Sequence, residues 1–300
     1  MVGASPRRQI YYSKWLSGVL PLLRERFGNR DLTEMKLQLH AETLAEKNFL
    51  GGRAEVFEVM GRLQLITLLR CGLYPHSRVL DLGCGCLRGG YWLVHFLNPD
   101  RYFGIEPQVE MLEIGKTEIL GRDILNEKRP RFSSNDRFDP SEFGVLFDFF
   151  IARSVWTHAS RGQIEEMLDR FLAFGTPDSL FVTSFLPAKK GEGDSSPDWV
   201  GRSHESDTPG TRRHELGWIE QLCLDRNLKV RELFDPGEKQ VWLLIAKGEG
   251  ARPAQTYLKR LVEGMGKDKG KGKGVRDSVR RWLRSMGTRL TRRFSDRHSS

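Results

Sequence analysis

Short apolar strands alternating with amphipathic helical segments predict a doubly wound α/β fold: a mostly parallel seven-stranded sheet with helices on both faces. Three observations carry this expectation. Strand and helix patterns alternate from residue 78 to residue 185, a glycine-rich turn follows the first strand directly, and the last two strands are joined only by the turn Asp235-Pro236-Gly237. A connection that short forces the final pair to be antiparallel.

Ahead of the sheet, Asp31-Leu32-Thr33-Glu34 reads as a capping box, with Leu37, Ala41 and Leu44 following at helical spacing. Val56, Val59, Met60, Leu63, Ile66 and Leu69 share one face of a second helix that ends near Gly72. Residues 1–74 are therefore expected to form a helical segment packed on the core. Residues 78–82 (RVLDL) make the first strand, and a helix follows through Trp92, Leu93 and Phe96. Residues 101–106 make the second strand, followed by a helix through Val109, Leu112 and Ile119. A weak third strand is expected at 131–135 and a strong fourth at 147–152, before a helix marked by Ile164, Met167, Leu168 and Phe171. Strand five is expected at 180–185, a helix through Leu216, Ile219 and Leu222, and closing strands at 228–234 and 241–246. The core domain spans 75–249 on this reading.

No run of about 18 apolar residues is present to form a membrane-spanning helix. The N-terminal stretch lacks a small-residue cleavage pattern, so the chain is expected in the cytoplasm. Its four cysteines fall at no zinc or disulfide spacing and read as free thiols. The net charge of +9 is uneven: from residue 250 on, 15 lysines and arginines face 4 acids, which leaves residues 1–249 at −2. A near-neutral body disfavours a broad nucleic-acid-binding face and places the basic character in residues 250–300.

Within that tail, residues 264–274 (GMGKDKGKGKG) form a flexible charged linker. Beyond it, Val275, Val279, Trp282, Leu283, Met286, Leu290 and Phe294 align on one helical stripe, with arginines on much of the remainder. Such a helix over 275–294 suits an anionic membrane surface or an acidic partner, and nucleic acid less well. The alternatives are a helix packed on its own protein or an unstructured arm, and Gly287 weakens the helix.

The chemistry concentrates at the end of strand one, in Asp81-Leu82-Gly83-Cys84-Gly85-Cys86-Leu87-Arg88-Gly89-Gly90. Gly83 and Gly85 let the backbone turn tightly and approach a ligand without a Cβ in the way. The following helix points its free N–H groups at the same place. Strand two ends in Glu106, whose carboxylate can accept both hydroxyls of a ribose. Ligands of such sheets bind at the carboxyl ends of the strands, where chain order reverses, so these features describe an adenosine-type site. A dinucleotide fingerprint would require a third glycine where the chain has Arg88, and would not normally place an acid at Asp81. Both details speak against a nicotinamide-dependent oxidoreductase.

VLDLGCG followed by YFGIEP resembles the first two cofactor motifs of class I S-adenosylmethionine-dependent methyltransferases, and FDFFIARSVWTHAS is similar to their fourth-strand segment. GCGxLRGG with a later SVxTH resembles a bacterial subgroup acting on small molecules or glycans. The resemblance covers roughly residues 75–247 and implies a Rossmann-like core with S-adenosylmethionine as cofactor. It departs at Leu87, where many relatives carry a third glycine. Matched by position, it implies that Asp81, Gly83 and Gly85 line the methionine end of the cofactor and Glu106 binds its ribose. It places Asn135, Asp136 and Arg137 near adenine, with Asp136 on the amino group, and Ala152, Arg153 and Ser154 closing the site.

Methyl transfer to oxygen or nitrogen needs in-line placement, and a hydroxyl acceptor must also lose a proton. His158, just past strand four, is the candidate base; the alternative is a residue that caps or packs the next helix. Trp156 either bounds the acceptor pocket or packs against the N-terminal helices. Residues 187–213 form a long connection rich in Gly, Ser, Pro and charge, and carry Trp199, His204, Glu205 and Asp207, with His214 beyond. That length suits a substrate lid. His95, Cys84 and Cys86 read as packing residues. A non-catalytic scaffold working through its tail remains the other reading, though it need not keep the Gly83, Gly85 and Glu106 set.

Overall fold

Seven strands form one sheet: β1 (Val79–Leu82), β2 (Tyr102–Ile105), β3 (Arg131–Ser133), β4 (Phe147–Ala152), β5 (Gly175–Phe185), β6 (Leu228–Leu233) and β7 (Val241–Lys247). Their order is β3-β2-β1-β4-β5-β7-β6. In this computed structural model β1 to β5 run parallel, and β7 lies antiparallel between β5 and β6. The structure describes residues 26, 30–189, 198–202, 210–233 and 239–247, without the side chains of 30–33. The side chain of Asp31 in the expected capping box, His204, Glu205, Asp207, the turn at 235–237 and the basic tail lie outside what is described. Among the described residues, no helix is long and apolar enough to cross a membrane.

The helices are α1 (Arg30–Ala45), α2 (Phe57–Arg70), α3 (Arg88–Phe96), α4 (Val109–Ile114, continued by a wider π turn over Gly115–Leu120), α5 (Arg122–Lys128), α6 (Arg161–Phe174) and α7 (Leu216–Asp225). Parallel strands buried on both faces need apolar residues throughout, and β1 and β4 supply them, with Asp81 the buried exception. Ile164, Met167, Leu168 and Phe171 of α6 are fully buried, as the periodicity predicts. Phe171 meets Phe150 of β4 edge-on with ring centroids 5.2 Å apart, a favoured aromatic geometry. A capping box starts α6: the Gln163 N–H donates to Ser160 Oγ at 3.2 Å, and the Ser160 N–H donates to Gln163 Oε1 at 2.8 Å.

Two details differ from the sequence reading. Strand β5 begins at Gly175, five residues earlier than expected, because Gly175 pairs with Phe147 across a register shift before the regular register resumes at Leu180. Helix α2 buries Phe57, Gly61, Leu65 and Leu68, whereas Val59, Met60, Leu63 and Ile66 are only half-buried. The cause is a close crossing of α2 on α3: a Cβ on Gly61 would lie 2.1 Å from the Arg88 carbonyl oxygen. The helix must turn its glycine inward, and hydrophobicity alone does not reveal that.

Gly61→Ala should therefore destabilise the protein by about 1–3 kcal/mol despite the better helix propensity of alanine. A Cβ on Gly217 in α7 would meet nothing within 4 Å, so Gly217→Ala should be neutral or stabilising by up to about 1 kcal/mol. Urea unfolding midpoints compare the two, and a stabilised Gly61→Ala would contradict the crossing.

Candidate functional site

Chain order reverses between β1 and β4, which opens a crevice beyond their carboxyl ends. The turn after β1 hangs from β2: the Gly83 and Cys84 N–H groups donate to the Ile105 carbonyl at 2.8 and 3.1 Å. Gly83 (φ +68°) and Gly85 (φ +56°) are left-handed, as a tight approach requires. Leu87 is left-handed too (φ +61°) and fully buried. The turn thus keeps its shape without a third glycine, at about 1–2 kcal/mol of backbone strain, which burial of the side chain opposes.

Glu106 joins the two turns of the crevice. Its Oε2 accepts the Gly85 N–H at 2.8 Å and its Oε1 accepts the Gln108 N–H at 2.9 Å. Asp81 lies deeper. Its Oδ2 accepts the Tyr102 hydroxyl at 2.7 Å, and a Cβ on Gly90 of α3 would lie 2.8 Å from that hydroxyl oxygen. The Asp81–Tyr102 pair therefore sits under the turn and the start of α3. Burial pushes the Asp81 carboxyl up to about 7; Glu106 adds to the rise and the Tyr102 hydroxyl opposes it. Burial likewise holds Tyr102 protonated as the donor.

On the β4 side, Val155 touches the glycine turn: a Cβ on Gly83 would lie 2.6 Å from Val155 Cγ2. The two sequence motifs thus meet at the switch point. Ser154 is left-handed (φ +61°), and its N–H donates to Ser184 Oγ at 3.0 Å. Arg153 lies over the Trp242 ring at 5.0 Å, and its Nη1 donates to the hydroxyls of Ser154 and Ser184 and to the Gln240 amide oxygen.

The structure leaves Asp136 exposed in the turn after β3, while Asn135 points inward, its amide donating to Ser133 Oγ and the Asp139 carbonyl, both at 2.8 Å. Trp156 is fully buried against Phe181, with ring centroids 5.9 Å apart. It packs in the core beside β5, where the sequence reading offers the N-terminal helices or a pocket wall. His158 Nδ1–H donates to the Val200 carbonyl at 2.7 Å, and the ring stacks on Trp199. The Val200 N–H returns a bond to the His158 carbonyl at 3.1 Å, and the Arg212 N–H bonds the Thr157 carbonyl at 2.7 Å. The described parts of the expected lid are thus pinned over the loop after β4. Burial lowers the His158 pKa, opposed by the Val200 and Gly210 backbone. The lowered pKa favours the neutral imidazole. His95 donates Nδ1–H to the Tyr91 carbonyl at 2.7 Å within α3. All four cysteines are free and buried, and burial pushes the Cys86 thiol up to about 11.

Sequence reasoning missed Tyr102, Val155, Ser184, Gln240 and Trp242. Tyr102 and Val155 stand inside the quoted motifs as ordinary strand and loop residues. Ser184, Gln240 and Trp242 become neighbours only because β7 inserts beside β5.

No family model matches the chain, and no curated protein matches it. Among solved structures, a magnesium protoporphyrin IX methyltransferase from Synechocystis PCC 6803 with bound S-adenosylmethionine aligns at 12% identity over 83% of this chain and 100% of that one, with a TM-score of 0.45. A glycopeptide N-methyltransferase complexed with S-adenosylmethionine aligns at 12% identity over 62% and 93%, with a TM-score of 0.48. Human N-acetylserotonin methyltransferase aligns at 15% identity over 79% and 66%, with a TM-score of 0.46. Likenesses this distant carry no argument about chemistry, which rests on the residues of this chain.

A raised carboxyl pKa in the folded protein means that folding takes up a proton between the ordinary value of 3.8 and about 7. Stability from this group is therefore lost as pH rises through that window. Asp81→Asn keeps an acceptor for Tyr102 and removes the titration, so its melting temperature relative to the native protein should improve steadily from pH 5 to pH 8. A difference that does not change with pH would contradict the raised pKa.

Proposed function

We propose that the chain is an S-adenosylmethionine-dependent methyltransferase of the GCGxLRGG type, acting on an oxygen or nitrogen of a small molecule or glycan. The observation that carries this reading is Glu106, buried at the end of β2 and bonded to the Gly85 N–H beside a turn that two left-handed glycines keep free of Cβ atoms. This donor set fits an adenosine whose ribose diol meets the carboxylate and whose amino-acid end crosses Gly83 and Gly85. Asp136 of the turn after β3, and Arg153 and Ser154 after β4, are the residues proposed to surround it.

The cofactor supplies an activated methyl group on a sulfonium, and the enzyme's part is placement and exclusion of water. The pinned segment 198–202 closes the loop after β4, where an acceptor would enter. His158, its ring oriented by the Val200 carbonyl, is the candidate to take the acceptor proton. The buried Asp81 keeps the glycine turn seated through Tyr102.

Calorimetric titration with S-adenosylhomocysteine and with NAD tests the reading. The homocysteine ligand should bind, and Glu106→Ala should weaken it about 10- to 100-fold, the range expected for losing charge-assisted hydrogen bonds. The melting temperature of ligand-free Glu106→Ala, set against that of the native protein, separates a lost ligand contact from a collapsed turn, because both carboxylate oxygens also hold backbone N–H groups. Binding of NAD alone would overturn the proposal.

A further inference from the structure

The neighbourhood of the glycine turn also contains a cation without an anion. Arg88 opens α3, and its guanidinium lies against the loop before α2 and the Phe57 ring at the start of α2, within electrostatic reach of Cys86 in the glycine turn. Its Nη2 donates to the Leu50 carbonyl at 3.4 Å, a long bond, and the Phe57 ring lies 5.0 Å from its centre. Nη1 and Nη2 are each 3.1 Å from where a Cβ on Gly52 would stand. Nε is out of solvent and has no hydrogen-bond partner among the described residues. No described carboxylate pairs with it: Glu106 binds the Gly85 and Gln108 N–H groups, and Asp81 binds Tyr102.

A guanidinium carries five N–H donors, and enclosing one without a counter-charge is costly. Burial pulls the Arg88 pKa below its ordinary value, and the nearby Arg153 guanidinium pushes the same way, with Cys86 opposing. Helix α3 adds to the local positive potential, because its first turn holds no acidic residue and no side chain caps it. A guanidinium enclosed this far is normally paired, and no carboxylate among the described residues pairs with it.

We propose that Arg88 anchors an anion subsite that takes a carboxylate of the ligand bound in the crevice, with Arg153 as a second positive charge within electrostatic reach. A planar fork of donors suits a carboxylate better than a point charge would. The carboxylate has two available sources, the amino-acid end of the cofactor and an acidic group on the acceptor. The choice between these sources rests on the methyltransferase reading, and the existence of the subsite does not.

The test uses the intact native protein, Arg88→Gln and Arg88→Lys. Each is titrated with S-adenosylhomocysteine and with 5′-methylthioadenosine, which keeps the nucleoside and lacks the carboxylate. Sulfate is then titrated into the protein with and without saturating S-adenosylhomocysteine. If the cofactor is the source, Arg88→Gln weakens S-adenosylhomocysteine about 10- to 100-fold, leaves methylthioadenosine unchanged, and Arg88→Lys recovers part of the loss. If the acceptor is the source, S-adenosylhomocysteine binding is unchanged and sulfate binds the loaded native protein but not Arg88→Gln. In both cases Arg88→Gln without ligand melts no lower than the native protein, because an unpaired cation has been removed. Equal weakening of both nucleosides, a lower melting temperature without ligand, or no change in any titration would overturn the subsite. If the native protein binds neither nucleoside, the methyltransferase reading fails, and loss of sulfate binding in Arg88→Gln still decides the subsite by itself.

Discussion

The Glu106 carboxylate is the constraint on which the rest of the crevice depends. It stands at the end of β2, yet its two oxygens hold N–H groups from two different turns, Gly85 after β1 and Gln108 before α4. Because β1 and β2 are neighbours in register, with Leu82 opposite Ile105, this single side chain locks the positions of both turns. The bonds are charge-assisted and largely out of water, where they are stronger than neutral ones. A ligand diol that reaches the carboxylate meets a group already held in place.

Around that anchor the packing leaves little slack. Val155 lies against Gly83, the Cys86 carbonyl carbon would be 2.6 Å from a Cβ on Gly115 in the π turn, and Gly61 lies against the Arg88 carbonyl. Gly61 of α2, Gly115 of the π turn and the Val155 side chain therefore crowd the segment from Gly83 to Arg88. Strain at Leu87 and Ser154, both left-handed without being glycine, persists because this crowding allows few alternatives. Charge is distributed just as unevenly: Asp81 and Glu106 stand at the ends of β1 and β2, while Arg88 opens α3 and Arg153 follows β4. A ligand with a diol at one end and an acid at the other matches that polarity.

Much of this is legible in the sequence where the signal is local. The glycine turn, the acid at the end of β2 and the limits of β4 follow from residues adjacent in the chain. The antiparallel closing pair follows from the shortness of its connection. What is not legible depends on contacts between distant segments. The Arg153 cluster needs Ser184 from β5 and Gln240 from the start of β7, and periodicity does not report that β7 inserts beside β5. The buried face of α2 escapes the apolar pattern because its closest contact is made by a glycine. Trp156 could be placed either way from its position, and only the packing against Phe181 puts it inside. His158 stands at the expected place, but its bond to Val200 depends on how the long segment after β5 folds back.

A crystal structure of the intact protein grown with S-adenosylhomocysteine tests the central claim most directly. The account predicts ribose hydroxyls within hydrogen-bond distance of Glu106, roughly 2.5–3.0 Å, with the homocysteine end crossing Gly83 and Gly85. Density for the ligand away from Glu106, or an empty crevice at saturating ligand, would contradict it.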